Sequence, residues 1–170
     1  MKRYSYWLLI PLILLLSECG TSNGNSTNKH DYDYQVKVVS ISDGDTFRGI
    51  TEDKNEIRFR IHGIDAPERG QPFSRKSQEY LSGLIYNKTV GIIVETEGDR
   101  YGRPVVWVYT PDGKDVSAEM IKVGLAWHYK FHSDDEEYAR LEKEAQNKKM
   151  GLWSDPDPVM PSEARKSKRH

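Results

Sequence analysis

The sequence contains a single cysteine, Cys19, among 170 residues, so no disulfide can form within the chain. A domain without disulfides depends on its hydrophobic core, and a chain of this length is long enough to enclose one. Basic residues are not in excess either, because 25 Lys and Arg stand against 26 Asp and Glu, for a formal net charge of −1. This balance excludes a non-specific nucleic-acid coat protein, which would be strongly basic, so any contact with nucleic acid has to be local.

No apolar run in the sequence is long enough to cross a membrane. The longest, WLLIPLILLL at residues 7–16, follows two basic residues and is well short of the roughly 20 residues that a membrane-spanning helix needs. A basic start followed by a short apolar run is typical of an export signal. We therefore expect residues 1–19 to form a signal peptide and the protein to be exported.

Cys19 stands directly after this run, where the lipidated cysteine of a bacterial lipoprotein stands. Glu18 departs from that pattern, which has a small residue just before the cysteine. Two outcomes therefore stay open, namely a lipoprotein attached to the membrane through Cys19, or a secreted protein in which the cysteine is incidental.

Three segments of different composition follow the predicted signal peptide. Residues 20–34 are rich in Gly, Ser, Thr and Asn and predict a flexible linker. Residues 35–153 carry regular hydrophobic patterns and predict one folded domain. Residues 154–170 are proline-rich and then basic from Arg165 onward, and we interpret them as a solvated tail, with weak attraction to phosphate as the alternative.

Alternating apolar residues predict strands, and apolar residues spaced three or four apart predict helices. The predicted strands cover residues 35–41, 40–49 with a break at a turn, 56–64, 89–96 and 104–110. The predicted helices cover residues 72–88, 115–124 and 134–151, the first capped by Ser74 and the others ending at Gly124 and Gly151. This order predicts an α+β protein in which helices pack on a small β-barrel.

Acidic side chains lie at two predicted strand ends, in SISDGDTFRG and in FRIHGIDAPE. If the two turns are neighbours, Asp45, Asp65 and Glu68 form an acidic cluster whose mutual repulsion a cation would relieve. Carboxylates combined with a main-chain carbonyl suit a hard cation, and a loose arrangement suits Ca²⁺ better than Mg²⁺. The alternative is two unrelated surface turns, in which Asp and Gly serve only the backbone conformation.

A third segment, GDRYGRPVVWVY, places Arg103 at the start of a predicted strand, just after the aromatic Tyr101. Arg103 and Arg60 would together supply two guanidinium groups. Planar guanidinium groups donate paired hydrogen bonds to phosphate oxygens, where charge develops during phosphodiester hydrolysis. A cation adds Lewis-acid polarisation. The combination favours phosphodiester hydrolysis.

The segments DGDTF, FRIHGIDAPE and DRYGRPVVWVY, in this order and at these separations, resemble the staphylococcal nuclease (thermonuclease) family. The resemblance covers residues 36–153 and implies an OB-fold, a five-stranded β-barrel with three helices. It also implies a Ca²⁺-dependent phosphodiesterase that hydrolyses DNA and RNA by in-line attack of water and leaves 3′-phosphate ends. We expect a monomer.

The resemblance further implies roles for the residues that match the family motifs. Asp45 and Asp65 would bind Ca²⁺ through their carboxylates and Ala66 through its main-chain carbonyl, while Asp43 and Thr46 would orient this metal site. A general base or water-orienting carboxylate and two phosphate-binding arginines would carry the catalysis: Glu68, Arg60 and Arg103. Three residues would contact the nucleotide: Tyr101, Arg100 and Tyr129.

Two other functions stay open on the sequence alone. One is a non-catalytic OB-fold module that binds nucleic acid on the surface of a lipoprotein. The other is a surface lipoprotein that binds another protein. Neither accounts for the presence of both arginines, both aspartates and Glu68 in the matching positions.

Overall fold

The computed structural model describes residues 31–167, with side chains described up to residue 165. The predicted signal peptide and Cys19 lie outside the described residues. Within residues 31–167, no helix has both the length and the apolar character needed to cross a membrane.

Five strands form a closed barrel. They are β1 (Tyr34–Ile41), β2 (Thr46–Ile50), β3 (Glu56–Ile61), β5 (Thr89–Thr96) and β6 (Val105–Tyr109). Their order around the barrel is β1–β2–β3–β6–β5, with β3 and β6 parallel and the other neighbours antiparallel. Two short strands pair beside the barrel, β4 (Ile64–Asp65) and β7 (Trp127–His128). The predicted α+β class and the five-stranded barrel of OB type are confirmed.

Alternation along the strands fills the barrel with apolar side chains. Phe59 and Ile61 of β3 are buried, while Arg58, on the opposite face of the strand, is exposed. Phe59 stacks on Phe47 of β2 with 5.1 Å between the ring centroids. Full burial of one such side chain stabilises the fold by about 1.5–3 kcal/mol, so the interior of the barrel supplies a rigid base for the strand ends.

The first helix, α1 (Ser74–Ile85), is shorter than predicted. Ser74 is not its cap, because Phe73 occupies the cap position with φ 63° and no side chain makes the cap hydrogen bond. The helix ends at Ile85 because Tyr86 is extended and Asn87 adopts a left-handed conformation, with φ 57°. Leu81 and Ile85 anchor α1 to the core.

Helices α2 (Val116–Lys122) and α3 (Glu136–Asn147) pack on each other and carry Asp115 and Asp135 as side-chain caps. Gly124 follows α2 with φ 68°, as the predicted end requires. The prediction that α3 ends at Gly151 was wrong, because the helix stops at Asn147. Gly151 instead begins a 3₁₀ turn, residues 151–154, whose backbone lies against Gly124.

A fourth helix, α4 (Pro161–Ser167), was not predicted. It lies in the segment interpreted as a solvated tail, and for Arg165 that interpretation was wrong. The main-chain N–H of Ser162 donates to the carboxylate of Asp65 over 2.9 Å, and Arg165 forms ion pairs with Asp65 and Glu68. These contacts fix α4 beside β4.

Candidate active site

A cavity of about 640 Å³ opens at the end of the barrel where β2 begins and β3 ends. Most of the predicted site residues line it: Asp45, Arg60, Glu68, Arg100, Tyr101, Arg103 and Tyr129. Asp65 and Ala66 are buried beside the cavity and reach it through their contacts with Asp45 and Arg60.

Asp45 is positioned by a tight turn before β2. Asp43 accepts a hydrogen bond from the main-chain N–H of Asp45 over 3.1 Å, and the hydroxyl of Thr46 donates to Asp45 Oδ1 over 3.0 Å. Gly44 lies against α1 so closely that a Cβ would stand 1.9 Å from the hydroxyl oxygen of Ser77. The turn therefore requires glycine at this position, and its packing on α1 aims the Asp45 carboxylate at the cavity.

Asp65 lies on β4, which follows β3 after a sharp reversal. Gly63 makes this reversal with φ 74°, and a side chain there would overlap the ring of Tyr138. Asp65 is fully buried, and its neighbour Ala66 donates a main-chain hydrogen bond of 2.8 Å to Asp45 Oδ2. The reversal thus brings two carboxylates, from residues twenty positions apart in sequence, to one place.

Arg60 joins the two carboxylates. Its Nη1 lies 2.9 Å from Asp45 Oδ2 and its Nη2 lies 3.5 Å from Asp65 Oδ1. The same guanidinium donates to the main-chain carbonyls of Ile64 over 2.8 Å and of Ile61 over 3.2 Å. Four contacts from one planar group fix its orientation at the edge of the cavity.

The carboxyl groups of this cluster carry more negative charge than their surroundings favour. Burial raises the pKa of Asp65, and the neighbouring charge of Asp45 raises it further, whereas Arg165 and Arg60 act in the opposite direction. Burial and Asp45 likewise raise the pKa of Asp43 to about 7. Burial is the larger cause of both shifts and the charge of Asp45 adds to it, so a cation between these carboxyl groups would favour their ionised forms.

Arg103 stands on the other side of Asp45 and is held by Asp99. Its Nε and Nη2 donate to Asp99 Oδ2 over 2.9 and 2.6 Å, and its Nη1 lies 3.4 Å from the hydroxyl oxygen of Thr46. Burial alone would raise the pKa of Asp99, but the hydrogen bonds from Arg103 lower it overall. Asp99 therefore stays ionised and keeps the guanidinium fixed.

Tyr101 projects from the same turn and is 61% exposed. Its main-chain N–H donates to Asp99 Oδ1 over 2.8 Å. The guanidinium groups of Arg100 and Arg103 lie 4.8 and 5.2 Å from the centre of its ring. A fixed aromatic ring with cations on it suits contact with a nucleotide base and its phosphate.

Tyr129 lines the cavity from the segment after β7. Its main-chain N–H donates to the carbonyl of Gly63 over 2.8 Å, and its ring lies 5.0 Å from that of His132. The loop carrying Tyr129 is therefore tied to the same reversal that positions Asp65.

Glu68 lies at the rim of the cavity with its side chain 41% exposed. Its main-chain N–H donates to Gln71 Oε1 over 2.6 Å, and its carboxylate pairs with Arg165. All the residues predicted for the site are thus brought to one cavity or to the buried layer directly behind it.

Comparison with known proteins identifies the family. The profile described as "Staphylococcal nuclease homologue" matches residues 58–155, which is more than half of the chain. The chain belongs to the staphylococcal nuclease family. The chain is 41% identical over 133 residues to an uncharacterized endonuclease of Haemophilus influenzae. The matched region covers 78% of this chain and 74% of that protein.

Other members of the family are similarly close. Protein ParB of Escherichia coli is 42% identical over 135 residues, covering 74% of this chain and 75% of that protein. Micrococcal nuclease of Shigella flexneri is 35% identical over 148 residues, covering 81% of this chain and 84% of that protein. The chain is accordingly a nuclease of the staphylococcal nuclease family, a hydrolase that acts on nucleic acid.

The candidate metal ligands of this site are few, and all of them are oxygen atoms. Within residues 31–167, no group of three or more His, Cys, Asp or Glu side chains is placed to hold a metal. The candidate ligands are instead two carboxylates, Asp45 and Asp65, and the main-chain carbonyl of Ala66. Oxygen donors of this kind, with both carboxylates brought together by Arg60, fit Ca²⁺ with water completing its coordination.

Two residues of the site escaped the sequence analysis. Asp99 holds Arg103, and its position four residues earlier could have suggested an ion pair. Arg165 contacts two predicted site residues from 97 and 100 positions away. No local sequence pattern predicts a contact between residues so far apart in the chain. Helix α4 also lies beyond the region that matches the nuclease family.

Proposed function

We propose that this nuclease is a Ca²⁺-dependent phosphodiesterase that hydrolyses both DNA and RNA and leaves 3′-phosphate ends. The observation that carries the proposal is the convergence of two fixed arginines and two carboxylates on one cavity. Arg60 pairs with Asp45 directly, and Arg103 reaches the same carboxylate through the hydroxyl of Thr46. A phosphate between these arginines would meet two guanidinium groups whose orientation is already fixed by the protein.

Bound Ca²⁺, held by Asp45, Asp65 and the Ala66 carbonyl, would supply Lewis-acid polarisation of the phosphate. The residues of the chain bind the substrate and position the attacking water. A water molecule attacks phosphorus in line with the bond to the 5′-oxygen, the new P–O bond forms as that bond breaks, and the 5′-oxygen leaves and takes up a proton. The phosphate remains on the 3′-oxygen, which accounts for the proposed products.

Glu68 accepts or orients the proton of the attacking water. Because a carboxylate is a weak base, Glu68 works mainly through its position beside the attacking water. Its side chain stands at the rim of the cavity, on the loop that begins at Ala66. Arg60 and Arg103 donate to the equatorial oxygens of phosphorus, where negative charge builds up. Tyr101, Arg100 and Tyr129 would hold the nucleotide.

Digestion of plasmid DNA and of a structured RNA, first with Ca²⁺ and then with a chelator in excess, tests the proposal. We expect cleavage of both substrates with Ca²⁺ and none with the chelator. We expect D45N to abolish cleavage and its matched control D112N to retain it, because Asp112 forms an exposed ion pair with Lys114 and does not line the cavity. Product 3′ ends that terminal transferase extends only after phosphatase treatment identify 3′-phosphates, whereas intact DNA at saturating Ca²⁺ overturns the proposal.

We also propose that the nuclease is exported and acts as a monomer, attached to a membrane through lipidated Cys19 or secreted after cleavage. The support is the apolar run at residues 7–16 and the position of Cys19 directly behind it. Mass spectrometry of the mature N-terminus decides between the two forms, because a lipidated cysteine carries the added mass of its acyl chains. C19S should then release the protein from the membrane fraction.

A further inference from the structure

Helix α4 covers the acidic cluster of the site from outside the matched nuclease domain. Arg165 Nη2 lies 3.0 Å from Asp65 Oδ1 and 3.2 Å from Asp65 Oδ2, so one guanidinium nitrogen contacts both oxygens of the carboxylate. Arg165 Nη1 pairs with Glu68. The main-chain N–H of Ser162 adds a hydrogen bond of 2.9 Å to Asp65 Oδ2. A single short segment thus engages both a candidate metal ligand and the candidate base.

The guanidinium of Arg165 takes the place that a cation needs. Both oxygens of Asp65 accept hydrogen bonds from α4, and the Arg60 contact to the same carboxylate is longer, at 3.5 Å. A metal ion on Asp65 requires a lone pair that now accepts from Arg165 or Ser162, and two positive charges at one carboxylate repel each other. Arg165 and a divalent cation therefore exclude one another at Asp65.

The contacts that hold α4 are of a kind that can be released. The helix spans only residues 161–167, far too short to be stable by itself. No residue of α4 belongs to the buried hydrophobic cluster formed by the described residues. Pro161 and Ser162 at its start are buried, but the contacts that reach Asp65 and Glu68 are ionic and hydrogen-bonded, and the side chain of Arg165 is 31% exposed. Displacement of α4 consequently leaves the barrel core untouched.

We propose that α4 is an autoinhibitory strap, which in its closed state places Arg165 on the carboxylates of Asp65 and Glu68 and which a divalent cation displaces. The proposal rests on the function proposed above, because it assumes that Asp65 binds the cation. The strap keeps the nuclease inactive where Ca²⁺ is scarce and releases Glu68 and the metal ligand together when Ca²⁺ is abundant. An Arg165 that merely supported Glu68 or the substrate would leave α4 and its Ser162 hydrogen bond to Asp65 in place when Ca²⁺ binds.

Calorimetric titration with Ca²⁺ in the absence of nucleic acid tests the strap without reference to activity. Because a site that is closed for about nine-tenths of the time binds its ligand about tenfold more weakly, R165Q should bind Ca²⁺ about tenfold more tightly than the wild-type protein. Gln keeps a hydrogen-bond donor but removes the charge. R140Q is the matched control, since Arg140 pairs with exposed glutamates on α3, and its affinity should equal that of the wild type.

Hydrogen exchange on the wild-type protein provides a second measurement that needs no variant. The N–H of Ser162 donates to Asp65, so it should be protected without Ca²⁺ and exchange faster at saturating Ca²⁺. This measurement decides the matter if R165Q does not fold.

The outcomes separate the two proposals. Absence of Ca²⁺ binding in wild type and R165Q, or binding that D65N leaves intact, overturns the proposed metal site and the strap with it. Binding that D65N abolishes, with equal or weaker affinity in R165Q or with unchanged exchange at Ser162, overturns the strap alone. Tighter binding in R165Q together with faster exchange at Ser162 in the presence of Ca²⁺, or that faster exchange alone where the variant does not fold, confirms it.

Discussion

At the scale of single residues, Arg60 makes contacts that only a guanidinium can make together. It donates to two main-chain carbonyls and pairs with both buried aspartates. Lysine has the charge but offers one nitrogen, so it can satisfy only part of this set. The position therefore depends on the shape of the side chain as well as on its charge.

We expect R60K to lower kcat by about a hundredfold or more, the usual cost of losing one fixed donor to a transition-state oxygen. Steady-state kinetics on a DNA substrate at saturating Ca²⁺ measures it. R48K is the matched control, because Arg48 pairs with Glu56 on the exposed side of the barrel, and it should keep wild-type turnover. Wild-type turnover in R60K would remove Arg60 from the reaction.

Glu68 gives a second prediction at this scale. E68Q keeps the size of the side chain but can no longer accept a proton, so we expect kcat to fall by about a hundredfold or more while substrate affinity changes little. Single-turnover rates and binding to an uncleaved analogue separate the two quantities. E79Q, on the exposed face of α1, serves as control. An equal loss in affinity and rate would show that Glu68 holds the substrate instead.

At the scale of secondary structure elements, Asp115 ties α2 to α3. Its Oδ1 accepts from the main-chain N–H groups of Ser117 and Ala118 over 2.8 and 3.3 Å, and its Oδ2 accepts from the hydroxyl of Tyr138 on α3. Burial raises the pKa of this carboxyl, against the lowering effect of these hydrogen bonds. One side chain thus serves as a helix cap and as a link between helices.

We expect D115A to lower the free energy of unfolding by about 2–4 kcal/mol, the sum of a lost cap and a buried hydroxyl left without its acceptor. Urea denaturation measures the change. The double variant with Y138F should recover part of the loss, because that hydroxyl is then absent. D112A, three residues away and exposed, should stay within about 0.5 kcal/mol of wild type. An equally large loss in D112A would contradict the assignment to the cap.

The elements show which parts of the fold can be predicted from sequence. The barrel strands follow from alternation, because one face of each strand is buried. The start of α1 does not, because Phe73 adopts a left-handed conformation with φ 63° that its residue type disfavours and that the packing imposes. The end of α3 is similar, since Lys149, with φ 51°, makes the turn that Gly151 was expected to make.

At the scale of the whole molecule, the site combines residues from both ends of the described chain. The site residues could be predicted from three short segments of the sequence, because only a few types of side chain can bind phosphate or a metal ion. Arg165 could not be predicted, because it contacts residues 97 and 100 positions away, whereas Asp99 lies four residues before Arg103 and could have been read as its partner. The sequence therefore predicts the residues expected to touch the substrate, but it does not predict that Arg165 contacts Asp65 and Glu68.

Two buried histidines lie where helices meet the barrel. The carbonyl of His62 accepts from the hydroxyl of Ser117 on α2 over 2.8 Å, and the main-chain N–H of His128 donates to Glu142 on α3 over 3.0 Å. Burial lowers the pKa of both rings. Nearby carboxylates act in the opposite direction, Glu95 on His62 and Glu142 on His128, but burial outweighs them. Protonation of either ring would place a charge at this junction, since the ring of His62 lies 4.4 Å from that of Trp107 and the ring of His128 lies 5.7 Å from that of Tyr138 on α3.

The sign of the effect follows from linkage. A histidine with a lowered pKa stays neutral in the folded protein while the unfolded chain takes up a proton near pH 6.5, so its contribution to stability is present above that pH and is lost as the pH falls through the folded value. We expect H128Q to flatten the decline of the unfolding free energy between pH 7 and pH 5, by at most about 1.4 kcal/mol per pH unit. Urea denaturation across this range measures the slope, and H132Q, on the exposed part of the same loop, should leave it unchanged. A slope in H128Q equal to that of wild type would mean that His128 takes up its proton as readily in the folded protein as in the unfolded chain.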